Sequence, residues 1–454
     1  MLYHLISYLG KLYNFPGERL FTYLSFRAGM GLLLALVMGL VFGKRIIRML
    51  QRRLIGEEIR DLGLEGQLQK RGTPTMGGII ILLCILVPTL LLADLTSTYT
   101  WLMIVSTLWL GVLGFLDDYI KVFKKNKAGL QGKFKIVGQV GLGIIVSLTL
   151  FLSDSFVTMP GTEVQLFNHR LADFQTSLQN NISEPEKIMH PKSSPQPLLS
   201  EDGFEHAALP AAYASEWGSW GAAAVAQKST KTTIPFFKNN EFEYAVLAPA
   251  FLGGYRELAG WIIFMLVTIF IITAVSNGAN LTDGMDGLVS GVSITTCVTL
   301  SILAYLSSNV IYAGYLNIMY IPNSAEMVIF MAIVIGSLIG FLWYNSYPAQ
   351  VFMGDTGSLA LGGIIAVYAI IIRKELLIPI LCGVFFVESL SVLIQVSYFK
   401  YTKRKRGQGQ RVFLMAPLHH HYQKKGMPEA KIVTRFWIMA AMLAVATVLT
   451  LKVR

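Results

Sequence analysis

The stretch Thr98–Lys125, "TYTWLMIVSTLWLGVLGFLDDYIKVFKK", decides the fold. Its first part is mostly apolar, Asp117 and Asp118 follow, and a lysine-rich run closes it. About 20 helical residues cross a ~30 Å hydrocarbon core, so the segment has the length of a membrane span. Two carboxylates left ionised at its mouth are unfavourable unless something cationic meets them. The identity of that cation is the first question the sequence raises.

The rest of the chain has the same character. Its 454 residues are 54% hydrophobic and only 14% charged, where a soluble protein carries roughly 25% charged residues. Mean hydropathy is +0.55. The apolar residues fall in blocks that predict ten spans: 21–43, 74–94, 98–118, 134–152, 258–276, 286–308, 325–343, 358–372, 377–398 and 434–452. The eighth is the shortest, and residues 309–323 offer a further short apolar element. The expected fold class is an all-α polytopic integral membrane protein of about ten transmembrane helices. No cleavable leader is expected, because the residues before Phe21 are polar and mixed.

Lys and Arg concentrate in residues 44–71, 121–135 and 400–411. Threading ten spans puts all three loops on one side, which the positive-inside rule makes cytoplasmic. Both termini then lie outside. Arg373 and Lys374, in a short outer loop, are exceptions to the rule. The net charge of +11 does not imply nucleic acid, since the basic loops lack interleaved aromatics and flank spans. Cys84, Cys297 and Cys382 fall inside predicted spans at irregular spacing and read as buried thiols.

The chain thus divides into residues 1–152 with four spans, an insertion over 153–257, and residues 258–454 with six spans. The insertion is rich in Ser, Ala and Pro and carries twelve acids against seven bases. It reads as a loosely folded outer segment.

Four polar clusters gather on the expected cytoplasmic side: "FLDDYIKVFKK" (115–125), "NGANLTDGMDG" (277–287), "WYNSYPAQVFMGDTGS" (343–358) and "MAPLHHHYQKKG" (415–426). Asp117 and Asp118 could simply end a helix beside Lys121 and Lys125, but adjacent acids at a helix C-terminus oppose its dipole. Asp283 and Asp286 could serve a glycine turn, or they could flank a flexible backbone that approaches an anion. Asp355 could be a helix cap. The histidine triplet lacks further His or Cys at zinc spacing. Taken together, oxygen ligands without cysteine suit Mg²⁺ or Mn²⁺, and Lys70, Lys121, Lys124, Lys125 and Lys133 offer point charges for a diphosphate.

Five stretches carry a resemblance: "KRGTPTMGG" (70–78), "FLDDYIKVFKKNKAGLQGKFK" (115–135), "NLTDGMDGL" (280–288), "VFMGDTGSLALGG" (351–363) and "APLHHHYQKKGMPEAKIVTRFWI" (416–438). In these the chain closely resembles the phospho-N-acetylmuramoyl-pentapeptide transferase family, within the polyprenyl-phosphate sugar-phosphate transferases. The resemblance implies transfer of phospho-MurNAc-pentapeptide from its UDP carrier to undecaprenyl phosphate, giving lipid I and UMP, with Mg²⁺ and in a homodimer of the bacterial inner membrane. It implies Asp355 as the metal ligand, with Asp117, Asp118 and Asp286 as the other essential acids. Lys70, Thr75, Lys125, Lys133, Asn280, Asn345 and His419, His420 and His421 would line the nucleotide and diphosphate site, with Phe352 stacked on uracil. The insertion is expected to depart from the family, whose loop there is short. A sibling phospho-N-acetylhexosamine transferase and a transporter are the rival readings. A transporter's acids belong near the bilayer midplane, whereas these gather at one face.

Overall fold

The computed structural model describes residues 2–13, 18–53, 72–124, 126, 129–170, 226–237 and 240–451. Ten helices account for the ten apolar blocks. They are α1 (Leu24–Arg53), α2 (Gly78–Leu92), α3 (Thr98–Val122), α4 (Gly132–Leu152), α5 (Arg256–Thr282), α6 (Leu288–Ser307), α7 (Ala325–Asn345), α8 (Gly354–Ile371), α9 (Gly383–Arg406) and α10 (Glu429–Thr450). Among the described residues, nine of these are long and apolar enough to cross a membrane, and α2, at 15 residues, is not.

The shortest span is therefore the second rather than the eighth. Residues 73–76 carry apolar Pro74 and Met76 but form no helix, and run irregularly beside the loop before α8. Gly77 N–H donates to Phe352 O at 2.8 Å, Gly78 N–H to Met353 O at 2.8 Å, and Phe352 N–H to Pro74 O at 2.9 Å. Irregular backbone at membrane depth is tolerated only where protein satisfies it in this way. Gly78 has no room for a side chain, since a Cβ would lie 2.1 Å from Gly357 N.

Helix α8 is the centre of the bundle, buried without interruption from Thr356 to Ile371. A helix apolar all round belongs in the core, and α3 and α5 flank this one. Gly114 of α3 lies against the start of α8, where a Cβ would meet Asp355 O at 2.1 Å. Helices α4 and α5 are joined through polar groups: Gln139 Nε2 donates to Ser276 Oγ (2.8 Å) and accepts from Asn277 Nδ2 through its Oε1 (2.9 Å). The helix directions place the C-terminal ends of α3, α5 and α7 and the N-terminal end of α8 together. The N-terminal end of α1 and the C-terminal end of α10 come to the opposite face.

That opposite face carries the described ends of the insertion. Residues 161–170 are helical, and a hairpin forms from β1 (Lys231–Thr233) and β2 (Glu241–Glu243). Thr158 pairs with Gln227, and Met159 with Tyr320, beyond a short helix over Val310–Leu316. The hairpin covers the loop after α8, where Arg373, Lys374 and Glu375 are all buried. Arg373 Nη2 donates to Ser229 O (3.1 Å), and the guanidinium lies 4.7 Å from the Phe264 ring centre. Lys374 Nζ donates to Thr233 Oγ1 (2.7 Å), and Tyr244 OH to Glu375 Oε1 (3.2 Å). Burial pushes the Lys374 ammonium down to about 8 and the Glu375 carboxyl up. The exceptions to the charge rule are thus not loop charges facing solvent. They are interior groups held by the hairpin.

Candidate active site

The site is built where α3 ends and α8 begins. Oxygen atoms of Asp117, Asp118 and Asp355 lie within 4.8 Å of one another. Among the described residues, the cations that meet this charge are two lysines. Lys121 Nζ lies 2.5 Å from Asp117 Oδ2 and 3.1 Å from Asp355 Oδ2. Lys135 Nζ lies 3.1 Å from Asp117 Oδ2 and 2.5 Å from Asp355 Oδ2.

The two adjacent aspartates have different surroundings. Asp117 faces the lysines and accepts Leu130 N–H at 2.6 Å. Asp118 turns toward α8, accepting Asp355 N–H (3.1 Å), Thr356 N–H (2.8 Å) and Thr356 Oγ1–H (2.6 Å). It caps a helix from another helix, at the end where a negative charge is favoured. Gly354 begins that turn at φ +72°, a left-handed conformation that suits glycine, and a Cβ there would press on Asp118 Oδ2 at 2.7 Å and Thr75 Oγ1 at 3.0 Å.

Asn280, near the end of α5, donates to Asp355 Oδ1 (2.8 Å) and to Ser358 Oγ (2.9 Å). Three residues on, burial and then the charges of Asp355, Asp118 and Asp286 raise the Asp283 carboxyl well above its ordinary range. Asp286 is buried, its Oδ2 accepting Ala349 N–H at 3.0 Å and its own N–H donating to Glu429 Oε1 at 2.9 Å. Asn345 uses its amide inside the protein: Oδ1 accepts from Gly287 N–H (3.1 Å) and Ser290 Oγ (3.2 Å), and Nδ2 donates to Val351 O (2.9 Å). Phe352 is half-buried on the same loop.

The histidines sit on a short helix, Leu418–Lys424, that abuts the Asp283–Gly287 loop. A Cβ on Gly284 would stand 2.2 Å from His419 Nε2 and 3.2 Å from His420 Nε2. His419 is fully buried, whereas His420 and His421 are partly open. His421 Nδ1 accepts Leu414 N–H at 3.1 Å, and partial burial lowers its pKa, with help from Lys425.

All four sequence clusters therefore meet, through Asp355, Asp283 and Gly284. Lys70 and Lys125 lie outside the described residues. Lys133 points elsewhere and is exposed, while Lys135 reaches the carboxylates. The two lie about 200° apart around α4, at 3.6 residues per turn. Helix phase was the available signal for choosing Lys135. Three carboxylates with oxygen donors only, close enough to share one ion, fit a hard divalent cation. Asp118 is held by the backbone N–H groups of Asp355 and Thr356, whereas Oδ2 of Asp117 and of Asp355 meets lysine side chains that an ion can displace, so Asp117 and Asp355 are the members best placed to hold it.

The fold and site define a polytopic α-helical membrane transferase with a carboxylate–lysine centre. The sequence profile of glycosyl transferase family 4 matches residues 230–373, and signature 1 of phospho-N-acetylmuramoyl-pentapeptide-transferase matches residues 70–82. The chain is 52% identical to the phospho-N-acetylmuramoyl-pentapeptide-transferase of Flavobacterium psychrophilum over 454 residues, covering all of both chains. It is 53% identical to that of Parabacteroides distasonis over 468 residues and 50% to that of Flavobacterium johnsoniae over 454, again end to end. The chain belongs to the phospho-N-acetylmuramoyl-pentapeptide transferase family. Full coverage means that these relatives match the chain across residues 153–257 as well.

Proposed function

We propose that the chain transfers phospho-MurNAc-pentapeptide from UDP-MurNAc-pentapeptide to undecaprenyl phosphate, forming lipid I and UMP, in peptidoglycan synthesis. The observation that carries this reading is the meeting of four motif clusters at one end of the bundle, in a chain similar from end to end to transferases of that name. An oxygen of the lipid phosphate forms a bond to the β-phosphorus. The bond from that phosphorus to the bridging oxygen breaks, and UMP leaves with the electron pair. A phosphate monoester, with a second pKa near ~6, is mostly a dianion at neutral pH and needs no base to attack.

The protein's contribution is then position and charge. Lys121 and Lys135 are placed to hold diphosphate oxygens, and Asn280 orients Asp355. Asp118 fixes the turn that carries Asp355 and so acts through it. Asp117 and Asp355 would hold Mg²⁺, which when bound neutralises phosphate charge. Asp286, Asn345 and Glu429 keep the two loops beside the site in register. We place the site at the cytoplasmic face of the inner membrane, with both termini and residues 153–257 outside, in a homodimer. The support for that orientation is the basic run Lys403–Arg406 at the site end of α9.

Purified protein given UDP-MurNAc-pentapeptide and undecaprenyl phosphate should release UMP. Release only with UDP-N-acetylglucosamine would make it the sibling transferase instead. A cysteine at position 200 should react with an impermeant reagent added outside, and one at position 405 should not. The reverse pattern would invert the topology.

A further inference from the structure

We infer that Glu388, a residue no motif of the site includes, positions His419 for the transfer reaction. Glu388 lies on α9, within a membrane-spanning segment, and is fully buried. Its Oε2 stands 3.1 Å from His419 Nδ1, and His419 is itself without exposure. A buried carboxylate at that depth is unfavourable unless paired, and ionisable groups there are retained for a purpose.

The geometry of the pair shows what that purpose is. An imidazole has two nitrogens on opposite edges, and a partner at one sets the proton and direction of the other. With Nδ1 turned to Glu388, Nε2 faces the Asp283–Gly287 loop, so close to Gly284 that a side chain there would collide with it. Among the described residues Nε2 has no hydrogen-bond partner, and the Nδ1–Oε2 approach is the one polar contact between the two side chains, a close charge contact rather than a well-aligned hydrogen bond. The ring therefore has the Glu388 carboxylate of α9 at one edge and two acids of the site beside the other. The His420 ring lies against it, tilted by 58° at 4.3 Å between ring centres, and crowds that side of the imidazole. Helix α9 thereby acts on the site without contributing a group to it.

The inference rests on the transferase reading, and its test separates the two. Glu388→Gln keeps the volume and removes the charge, and Glu388→Asp withdraws the carboxylate by one methylene. Each is made alone and with His419→Ala, and UMP release is measured on monodisperse protein. Partners that fix a histidine ring typically contribute ten- to a hundredfold. Glu388→Gln should lower kcat by about that factor while KM for UDP-MurNAc-pentapeptide stays within about threefold. Added to His419→Ala, it should cause no further loss, because the two act as one unit. If the Gln form does not insert, the Asp form is read in the same cycle, with a smaller loss expected. Parent-like kcat in Glu388→Gln, or losses that multiply in the double variant, would overturn the inference. An inactive parent would instead overturn the transferase reading.

Discussion

Replacing Thr356 by valine tests the idea that Asp118 works by holding the start of α8. Valine keeps the shape of this buried side chain and removes only the hydroxyl that donates to Asp118 Oδ2 at 2.6 Å. A hydrogen bond to a charged group contributes about 1.5–3 kcal/mol. Asp118 keeps its bonds from Asp355 N–H at 3.1 Å and Thr356 N–H at 2.8 Å, so no carboxylate oxygen is orphaned. The loss should lie at the low end, about 1.5 kcal/mol. If that amount is lost from the geometry holding Asp355, turnover falls about tenfold, since 1.36 kcal/mol is a factor of ten. Asp118→Asn weakens all three bonds and turns an NH₂ group toward donors, which should cost about 3 kcal/mol or more. Thermal unfolding in detergent and UMP release, measured on both variants, give the two quantities. Parent-like turnover in Thr356→Val with a clearly lowered melting temperature would refute the reasoning, because the cap would then stabilise the helix without serving the site.

Three further outcomes are expected. Asp355→Asn should abolish UMP release and flatten its Mg²⁺ dependence while the protein remains monodisperse; ordinary activity would move the ion to other ligands. Deleting residues 171–225 should leave UMP release within a few-fold, because loop length contributes little to closure entropy. Extending the deletion to 160–245 removes Thr233 and Tyr244 from Lys374 and Glu375 and should lower the yield of monodisperse protein, and equal behaviour of the two deletions would contradict the packing described. Lys374 supplies a pH test: its folded pKa of about 8 lies below the ordinary 10.5, so between those values the unfolded chain binds more protons and stability rises with pH. The melting temperature of the parent minus that of Lys374→Met should therefore increase from pH 7.5 to 9.5, and a falling difference would show that the ammonium is not buried.

Much of this was legible in the residue string, for identifiable reasons. Apolar runs of about 20 residues report helical membrane spans because lipid otherwise admits only closed barrels, whose strands are shorter and alternate in polarity. The carboxylate cluster was legible because like charges at a span end have no bland explanation. The short α2 was not, since the irregular course of residues 72–77 depends on backbone bonds to a loop nearly 280 positions later in the chain. Lys135 was missed because the resemblance pointed to Lys133 and helix phase, which sets the two about 200° apart, was not weighed. Glu388 was missed because a lone acid in an apolar run has no visible partner until α9 and the histidine helix are brought together. The burial of Arg373 and Lys374 was equally hidden, as their partners come from the hairpin.

The shortness of α2 bears on how the two substrates meet. Fifteen residues rise about 22 Å, leaving some ~8 Å of a hydrocarbon slab to residues 72–77 and the loop they pair with. For an untilted α2 that difference is the depth by which the floor of the site is set into the slab. A lipid phosphate need not be lifted into water to reach Asp117 and Asp355, and a nucleotide need only descend by about the width of its own diphosphate and sugar. The bundle is thinned at one place, and the depth of that notch sets a common level for a water-borne donor and a lipid-borne acceptor.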